Sequence, residues 1–184
     1  VPSTRMVYRE MSSKVCWSDL TLGLMGRHQA ENAAVAVATL RRLAQLGKTI
    51  DEDAIRQGLS ETTWPARVEI LPCRPTVVID AAHNSASADA LVDVLTTGLV
   101  STRRWLIFAT SYDKDIEGML RGLLPYVAGV IFTRFENNPR SLPPEQLALH
   151  ARRLLSDRDN MANVEVHVAT TPRSAWESAV DLAS

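Results

Sequence analysis

The chain has 184 residues, of which 46% are apolar and 22% are charged, a composition typical of a globular protein with enough apolar residues to form a core. Its 20 basic and 21 acidic residues leave a net charge of -1, which argues against a nucleic-acid-binding protein because such proteins carry clustered positive charge. The longest apolar runs have the length of strands, so no membrane-spanning segment is predicted. Cys16 and Cys73 lie far apart and lack CxxC spacing, which indicates buried or incidental thiols in a reducing cytoplasm rather than a disulfide.

Two short strands are predicted within the first 25 residues. Apolar residues alternate with period two around Met6-Val7-Tyr8 and Val15-Cys16-Trp17, and Ser12-Ser13-Lys14 joins the two stretches. No later segment offers these strands an obvious partner. The chain begins with Val1 and has no signal-peptide pattern, so we expect it to be a piece of a longer protein.

Two helices are predicted next. From His28 to Leu46 apolar residues recur at helical spacing, and Gly47 follows at the position of a C′ glycine. Asp51–Leu59 predicts a second helix, capped by either Thr49 or Asp51.

The helical pattern is interrupted twice between residues 47 and 65. Gly47-Lys48-Thr49 resembles the end of a P-loop, but the full pattern needs a preceding strand and a glycine where Arg42 stands. A helix ending is therefore the better interpretation. The periodicity breaks again at residues 61–65, where we place a boundary between a first domain, 1–62, and a second domain, 63–184.

Predicted strands and helices alternate through the rest of the chain. The strands are predicted at residues 67–71, 76–79, 104–109, 128–133 and 164–168, and the helices at about 85–95, 116–124, 144–155 and 172–182. This alternation indicates an α/β fold with a mostly parallel, Rossmann-like sheet and flanking helices. The polar loops after successive strands are then expected at one edge of the sheet, where ligands bind in open α/β sheets.

One strand end carries a cluster of polar side chains. The predicted buried strand 76–79 runs into Asp80-Ala81-Ala82-His83-Asn84, and a helix begins near Ser85. A helix N-terminus attracts anions, so a carboxylate, an imidazole and an amide here predict a functional site. Two structural interpretations stay open, Asp80 as a helix cap and His83 as an ordinary loop residue. A phosphohydrolase nucleophile is disfavoured, because Ala82 stands where that chemistry usually has a second carboxylate.

The sequence contains no metal-binding or serine-nucleophile motif. The four histidines, at positions 28, 83, 150 and 167, lack the spacing of metal ligands. No GxSxG pattern marks a nucleophilic serine. We therefore predict no metal site on this chain.

Three motifs occur in the order found in a known family. Residues 26–34 read G-x-H-Q-x-x-N-A-A, residues 64–69 read W-P-A-R-x-E, and residues 80–84 read D-A-A-H-N. They resemble the folylpolyglutamate synthase/dihydrofolate synthase family of ATP-dependent Mur ligases, whose motifs read G-x-H-Q-x-x-N-A-A, W-P-G-R-x-E and D-G-A-H-N. Ala66 and Ala81 stand where the family has glycine, and Ala81 would restrict its loop if that position requires positive φ.

The resemblance implies a domain organisation and a reaction. Residues 63–184 would form a C-terminal domain of the Mur ligase type without its last β segment, preceded by a remnant of the central ATPase domain. The implied reaction adds L-glutamate to folate or dihydropteroate through an acyl phosphate and uses ATP and Mg²⁺. The P-loop, the magnesium ligands and the folate-binding loops would lie upstream, so the chain alone is expected to be inactive.

The resemblance also implies roles in ATP binding. Asn32 would contact the adenine side of ATP, and Arg67 would reach its phosphate oxygens. Asp80 would accept hydrogen bonds from the ribose hydroxyls, and His83 would lie beside the phosphates. Structural alternatives are that Asn32 or His28 caps the long helix, and that Arg67 forms a salt bridge with Glu69 or Asp80.

Candidates for the incoming glutamate lie in strand-end loops. Lys114 and Asn84 are assigned this role, and the alternative for Lys114 is a solvated loop lysine. Lys114-Asp115 and Asn138-Pro139-Arg140 also resemble family sequences. Two other functions stay open for the whole protein: a non-catalytic nucleotide-binding module, and a Mur-type ligase that acts on a cell-wall precursor.

Overall fold

The computed structural model describes residues 3–11, 13–99, 101, 103–157 and 163–183. Contacts divide the chain into two compact units, which are described separately. The first comprises Val1–Leu71, Val78–Ala81 and Asp93–Gly98, and the second comprises Pro72–Val77, Ala82–Val92 and Leu99–Ser184. Because these units are defined by contacts alone, the division into domains 1–62 and 63–184 stays a prediction.

The first unit begins with a β-hairpin. Strands β1 (Thr4–Arg9) and β2 (Cys16–Leu22) pair antiparallel, which confirms both predicted strands and makes each the partner of the other. Of the predicted turn between them, Ser12 lies outside the described residues. Tyr8 and Leu20 point into the core and are 6% and 1% exposed.

Helices α1 (Arg27–Gln45) and α2 (Glu52–Glu61) pack against this hairpin. Val37 of α1 and Ile55 of α2 are buried in one cluster with Tyr8 of β1. The apolar stripe of α1 is buried only in part, since Leu46 at its end is 65% exposed.

Both helix ends follow the sequence pattern. Gly47 has φ of 90°, and its N–H donates to the carbonyl oxygen of Ala44 while that of Lys48 donates to Leu43. This pair of bonds is a Schellman motif, which requires the left-handed backbone that glycine adopts readily. The next helix is capped by Asp51, whose Oδ1 accepts from the N–H of Ala54 at 2.7 Å, so Thr49 is not the cap.

Strands β3 (Glu69–Leu71) and β4 (Val77–Ile79) form a two-stranded sheet of their own. The prediction that β4 is a buried member of the parallel sheet is therefore wrong, and its Ile79 is 40% exposed. A short run of β-branched residues has the same composition in a buried parallel strand and in a half-buried one, so periodicity alone does not separate them.

The strand predicted at 67–71 is also shorter than expected. Arg67 and Val68 are not in β3, because Val68 has φ of 50° and its N–H is directed to a side chain rather than to a strand partner. Helix α3 (Ser85–Thr97) follows β4 as predicted.

The second unit contains a three-stranded parallel sheet. Its strands β5 (Trp105–Phe108), β6 (Gly129–Phe132) and β7 (Glu165–Val168) lie in chain order, and Trp105 of β5 aligns with Gly129 and Glu165. Three helices alternate with them: α4 (Ile116–Leu123), α5 (Pro144–Ser156) and α6 (Pro172–Ala183). The predicted α/β fold with a parallel sheet and flanking helices is thus confirmed.

Helices cover both faces of this sheet. Phe108 and Phe132 point into a core shared with α4 and α5, where Leu120 and Leu147 are fully buried. On the other face Ile131 packs against alanines of α6. Within the described part of the chain, no helix combines the length and the apolar character needed to cross a bilayer.

Candidate functional site

The first motif builds the N-terminus of α1. Gly26 is the N-cap with φ of 107°, and its N–H donates to Thr4 Oγ1 at 2.9 Å. A Cβ on Gly26 would lie 2.7 Å from the ring of His28 and from the side chain of Val94, so this position requires glycine. No side chain caps the helix, and the alternative in which Asn32 or His28 acts as the cap is wrong.

Asn32 lies on the exposed side of the second turn of α1. Its Nδ2 is 3.4 Å from Oε1 of Gln29, and the amide nitrogen of Gln29 is 3.0 Å from His28 Nε2. Because Gln29 is only 8% exposed, it anchors a row of three polar side chains. The contact with Gln29 therefore orients the Asn32 side chain, which is exposed to solvent and accessible to a ligand.

The second motif forms a loop held by two carboxylates. Asp80 Oδ2 accepts a hydrogen bond from the N–H of Val68 at 2.9 Å, and Glu69 Oε2 accepts one from the N–H of Ala66 at 2.9 Å. The N–H of Ala81 also donates to the carbonyl oxygen of Ala66 at 2.9 Å. These bonds fix the backbone on both sides of Arg67.

Arg67 is half-buried and lies between two residues with left-handed backbone, since Ala66 has φ of 56° and Val68 has φ of 50°. Such conformations cost roughly 1–3 kcal/mol in residues other than glycine and persist where surrounding contacts enforce them. Among the described residues Arg67 forms no ion pair with Glu69 or Asp80. The salt-bridge alternative is therefore wrong, and the loop presents an unpaired guanidinium.

The two alanines that replace family glycines differ in backbone conformation. Ala66 has positive φ, whereas Ala81 does not. An L-residue therefore restricts the loop at position 66. The restriction considered for position 81 does not apply, because Ala81 lacks positive φ.

His83 and Asn84, in the second unit, lie at the start of α3. Asn84 Oδ1 accepts from the N–H of Ser87 at 2.8 Å, and Ser87 Oγ accepts from the N–H of Asn84 at 3.1 Å. This reciprocal pair caps the helix. Asp80 is not the cap, and His83 is exposed with its N–H donating to Ser87 Oγ at 3.0 Å.

Lys114 lies in the loop between β5 and α4. Its Nζ is 3.1 Å from Asp113 Oδ2, so it is a paired rather than a freely solvated lysine. The hydrogen bond from Lys114 lowers the pKa of the Asp113 carboxyl, and the positive charges of Lys114 and Arg140 add to this effect. Asp115 caps α4 through its bond from the N–H of Gly118.

The loops after β5 and β6 meet, as predicted for successive parallel strands. The N–H of Tyr112 donates to the carbonyl oxygen of Arg140 at 3.0 Å, and that of Leu142 donates to Thr110 at 3.0 Å. Ser111 and Ser141 form an isolated bridge between the loops. Polar side chains from both loops are thus held along one edge of the sheet.

A small cleft at the same edge was not predicted from the sequence. Its volume is about 170 Å³ and it is lined by residues that follow β6 and β7 or begin α5: Arg134, Ser141, Pro143, Pro144, Glu145 and Thr170. The one available signal was the position of Arg134, two residues after the end of β6. Among the described residues, no group of three or more acidic, histidine or cysteine side chains could hold a metal ion.

These features define a class of protein: an α/β protein whose second unit carries polar loops at the carboxyl ends of parallel strands, the edge at which open α/β sheets bind ligands. The sequence model described as Mur ligase, glutamate ligase domain, matches residues 66–184. The chain therefore belongs to the Mur ligase family that carries the glutamate ligase domain.

Named relatives and solved structures agree with this assignment. The chain is 40% identical over 139 residues to the dihydrofolate synthase/folylpolyglutamate synthase of Mycobacterium tuberculosis, covering 73% of this chain and 28% of the relative. A structure of Mycobacterium tuberculosis folylpolyglutamate synthase complexed with ADP superimposes with a TM-score of 0.78 at 36% identity, covering 91% of this chain and 35% of that one. Escherichia coli FolC in complex with DHPP and ADP gives 0.66 at 27% identity, covering 91% and 42%. The chain thus spans about a third of the length of these relatives.

Proposed function

We propose that this chain is the C-terminal portion of a cytoplasmic, ATP-dependent ligase that adds L-glutamate to folate or dihydropteroate. The observation that carries the proposal is its similarity to folylpolyglutamate synthase complexed with ADP, at 36% identity over 91% of this chain. The match to the glutamate ligase domain over residues 66–184 supports the same reaction class.

The proposed reaction has two steps. A carboxylate oxygen of the folate or dihydropteroate substrate attacks the γ-phosphorus of ATP, and ADP leaves. The amine of L-glutamate then attacks the acyl carbon, and inorganic phosphate leaves as the amide forms. Catalysis of phosphoryl transfer depends mainly on positioning and on neutralising charge on the phosphate oxygens.

In the first unit, three residues are assigned to ATP. Arg67 is assigned to the phosphate oxygens, because a guanidinium donates two parallel hydrogen bonds to such a group and this one has no ion-pair partner among the described residues. Asp80 is assigned to the ribose hydroxyls, and its bond to the N–H of Val68 gives it a second role in shaping the Arg67 loop. Asn32 is assigned to the adenine side.

In the second unit, His83 is assigned to the phosphates because it immediately precedes the cap of α3, and helix N-termini favour anions. Lys114 and Asn84 are assigned to the incoming glutamate. Because Lys114 is paired with Asp113, a carboxylate of the substrate would compete with the Asp113 carboxylate for the lysine. Asn84 would act through its amide nitrogen, because its Oδ1 caps the helix.

The reaction class implies magnesium. The described part of this chain contains no group of three or more histidine, cysteine or acidic side chains that could hold the ion. We therefore assign no metal ligand here and derive no step through the ion. As the family resemblance implies, we expect the ligands of any Mg²⁺ that accompanies ATP upstream of this chain.

The isolated chain is proposed to lack ligase activity, since its 184 residues contain no complete P-loop pattern. Incubation with ATP, L-glutamate and either dihydropteroate or tetrahydrofolate should give no amide product. Formation of product by this chain alone would overturn the proposal of inactivity.

Titration with ADP, followed by amide chemical shifts, tests the assigned residues. We expect weak binding that perturbs Asn32, Arg67, Asp80 and His83, and we expect R67Q to weaken it further. R9Q is the matched control, because Arg9 is an exposed arginine on β1 in the same unit. Micromolar or tighter binding would instead favour a stand-alone nucleotide-binding module.

A further inference from the structure

The side chains of His28, Gln29 and Asn32 form a chain of hydrogen bonds at the start of α1. The amide nitrogen of Gln29 lies 3.0 Å from His28 Nε2, and the amide nitrogen of Asn32 donates to Gln29 Oε1 at 3.4 Å. Gln29 is 8% exposed, so both ends of its amide are used inside the protein. The exposed member of the three is Asn32, which we have assigned to the adenine side of ATP.

The chemistry of these groups determines the direction of each hydrogen bond. An amide nitrogen only donates, so His28 Nε2 accepts and the neutral ring carries its proton on Nδ1. Gln29 then directs its oxygen, and not its nitrogen, to Asn32. If the Asn32 amide rotated by half a turn, its Oδ1 would face Gln29 Oε1, and two acceptors would meet without a proton between them. His28 therefore sets the orientation of the Asn32 amide through Gln29.

The His28 ring is itself positioned by the absence of a side chain at Gly26. A Cβ at Gly26 would lie 2.7 Å from Cε1 and 2.8 Å from Nδ1 of the ring, which is too close for a real contact. Gly26 has φ of 107°, a backbone conformation that glycine adopts readily. The glycine thus leaves the space in which the first group of the hydrogen-bond chain lies.

An Asn32 amide with a fixed orientation distinguishes between purines. It offers Oδ1 as an acceptor and keeps one N–H as a donor, because the other N–H is used by Gln29. Adenine carries an amino donor at position 6 beside a nitrogen acceptor at position 7, and an asparagine amide matches this pair with two hydrogen bonds. A 6-oxopurine has an acceptor at position 6, which would meet Oδ1. An amide free to rotate would turn its nitrogen to that oxygen and accept either base.

We propose that Gln29 is a specificity-determining residue that selects an adenine nucleotide over a 6-oxopurine nucleotide by fixing the orientation of the Asn32 amide. His28 is a positioning residue that acts through Gln29, and neither side chain needs to touch the base. The proposal rests on the proposed function, in which Asn32 contacts adenine. It adds to that function the residues that decide which base is bound.

The direction of the hydrogen bonds is tested without a nucleotide. In the 184-residue chain at about pH 9, where an imidazole is neutral, ring nitrogen chemical shifts should place the proton of His28 on Nδ1. Gln29→Leu removes the donor to Nε2, so the preference for this tautomer should weaken. A wild-type His28 ring that carries its proton on Nε2 would overturn the proposal.

Base selectivity is tested by titrating the same chain with ADP and with inosine diphosphate, which has an oxygen in place of the amino group at position 6. Amide chemical shifts of Asn32 and its neighbours report binding. Wild type should bind ADP at least about fivefold more tightly, the lower end of the discrimination that a two-bond base contact provides. Equal dissociation constants would overturn the proposal. So would the absence of saturable shifts with ADP up to about 10 mM, ten times the upper end of ordinary KM values.

Two variants of Gln29 separate a role in selectivity from a merely structural one. Q29L removes the acceptor for Asn32, so the ratio of the two dissociation constants should fall close to one. Q29E keeps an acceptor oxygen for Asn32, and the His28 ring can donate to its carboxylate, so the wild-type ratio should be retained even if stability falls. Q45L is the matched control, since Gln45 is an exposed glutamine at the end of the same helix. A wild-type ratio in Q29L would overturn the role of Gln29.

A ligase assay distinguishes failure of this proposal from failure of the proposed function. If wild type binds both nucleotides equally while a full-length enzyme that contains this chain forms glutamyl product, the selectivity proposal is wrong and the function stands. If Q29L abolishes selectivity but the full-length enzyme forms no glutamyl product, the function is wrong and the role of Gln29 stands.

Discussion

Asp80 Oδ2 lies 2.9 Å from the backbone nitrogen of Val68, twelve residues earlier in the chain. This bond directs the N–H of Val68 away from strand pairing and holds a left-handed backbone beside Arg67. One carboxylate of the third motif therefore shapes the loop of the second motif.

Loss of this carboxylate should loosen the Arg67 loop. Asp80→Ala leaves the N–H of Val68, a residue that is 5% exposed, without its acceptor, and an unsatisfied buried donor costs about 1–3 kcal/mol. Asp80→Asn keeps an acceptor oxygen and should cost less. Hydrogen exchange at the Val68 amide and urea unfolding measure both effects. Unchanged exchange in D80A would show that the bond does not hold the loop.

Glycine at position 66 should stabilise the first unit. An L-residue pays roughly 1–2 kcal/mol for left-handed backbone, and Ala66→Gly removes that cost while losing about 0.5–1 kcal/mol through greater chain entropy. A small net gain is therefore expected. Ala81→Gly is the matched control and should only destabilise, because Ala81 lacks positive φ. Equal unfolding midpoints for the two variants would contradict this account.

Much of the fold is predictable because it rests on local patterns. The periodicity that ends at Gly47 identifies α1, and alternating strands and helices identify the parallel sheet of β5, β6 and β7. The conformation of Val68 was not predictable, because a β-branched residue normally indicates a strand and here a distant carboxylate decides its backbone. The pairing of β4 with β3 was missed because a short run of β-branched residues looks the same in a buried parallel strand and in a half-buried one.

The candidate site was predictable in part. The motifs locate Arg67, Asp80 and Asn84, but not the contacts that each makes. That Asn84 caps α3 follows from the start of the helix at Ser85, whereas the bond between Asp80 and the N–H of Val68 joins residues twelve positions apart and has no local signal in the sequence. Arg134 and Glu145 were missed because residues eleven positions apart line one cleft only after the loop between β6 and α5 has folded.

Removal of the α3 cap should destabilise the second unit. Asn84→Ala eliminates the acceptor for the N–H of Ser87, and loss of such a cap costs about 0.5–2 kcal/mol. Asn84→Asp retains the acceptor and adds a negative charge at a helix N-terminus, where it is favourable. The unfolding midpoint should fall in N84A and hold in N84D. An undiminished midpoint in N84A would contradict the capping role.

The pair of Lys114 and Asp113 should give a measurable pH effect. The hydrogen bond from Lys114 lowers the pKa of Asp113 in the folded chain. The ionised Asp113 carboxylate therefore contributes to the free energy of unfolding above the unfolded-state pKa of about 3.9. This contribution is lost as the pH falls through the folded-state pKa. Lys114→Gln should move the pKa of Asp113 upward, as measured by carboxyl carbon shifts. Lys48→Gln, at an exposed lysine, should leave it unchanged. A fixed Asp113 pKa in K114Q would exclude Lys114 as the cause.

The central claim is that this chain supplies part of a glutamate ligase. It is tested most directly by a chimera in which the chain replaces the homologous region of the Mycobacterium tuberculosis dihydrofolate synthase/folylpolyglutamate synthase, to which it is 40% identical over 139 residues. The account predicts ATP-dependent formation of glutamyl product, with kcat lowered about 10²-fold or more in R67Q and unchanged in R9Q. A folded chimera that binds ADP but forms no product, or one in which R67Q retains full activity, would contradict it.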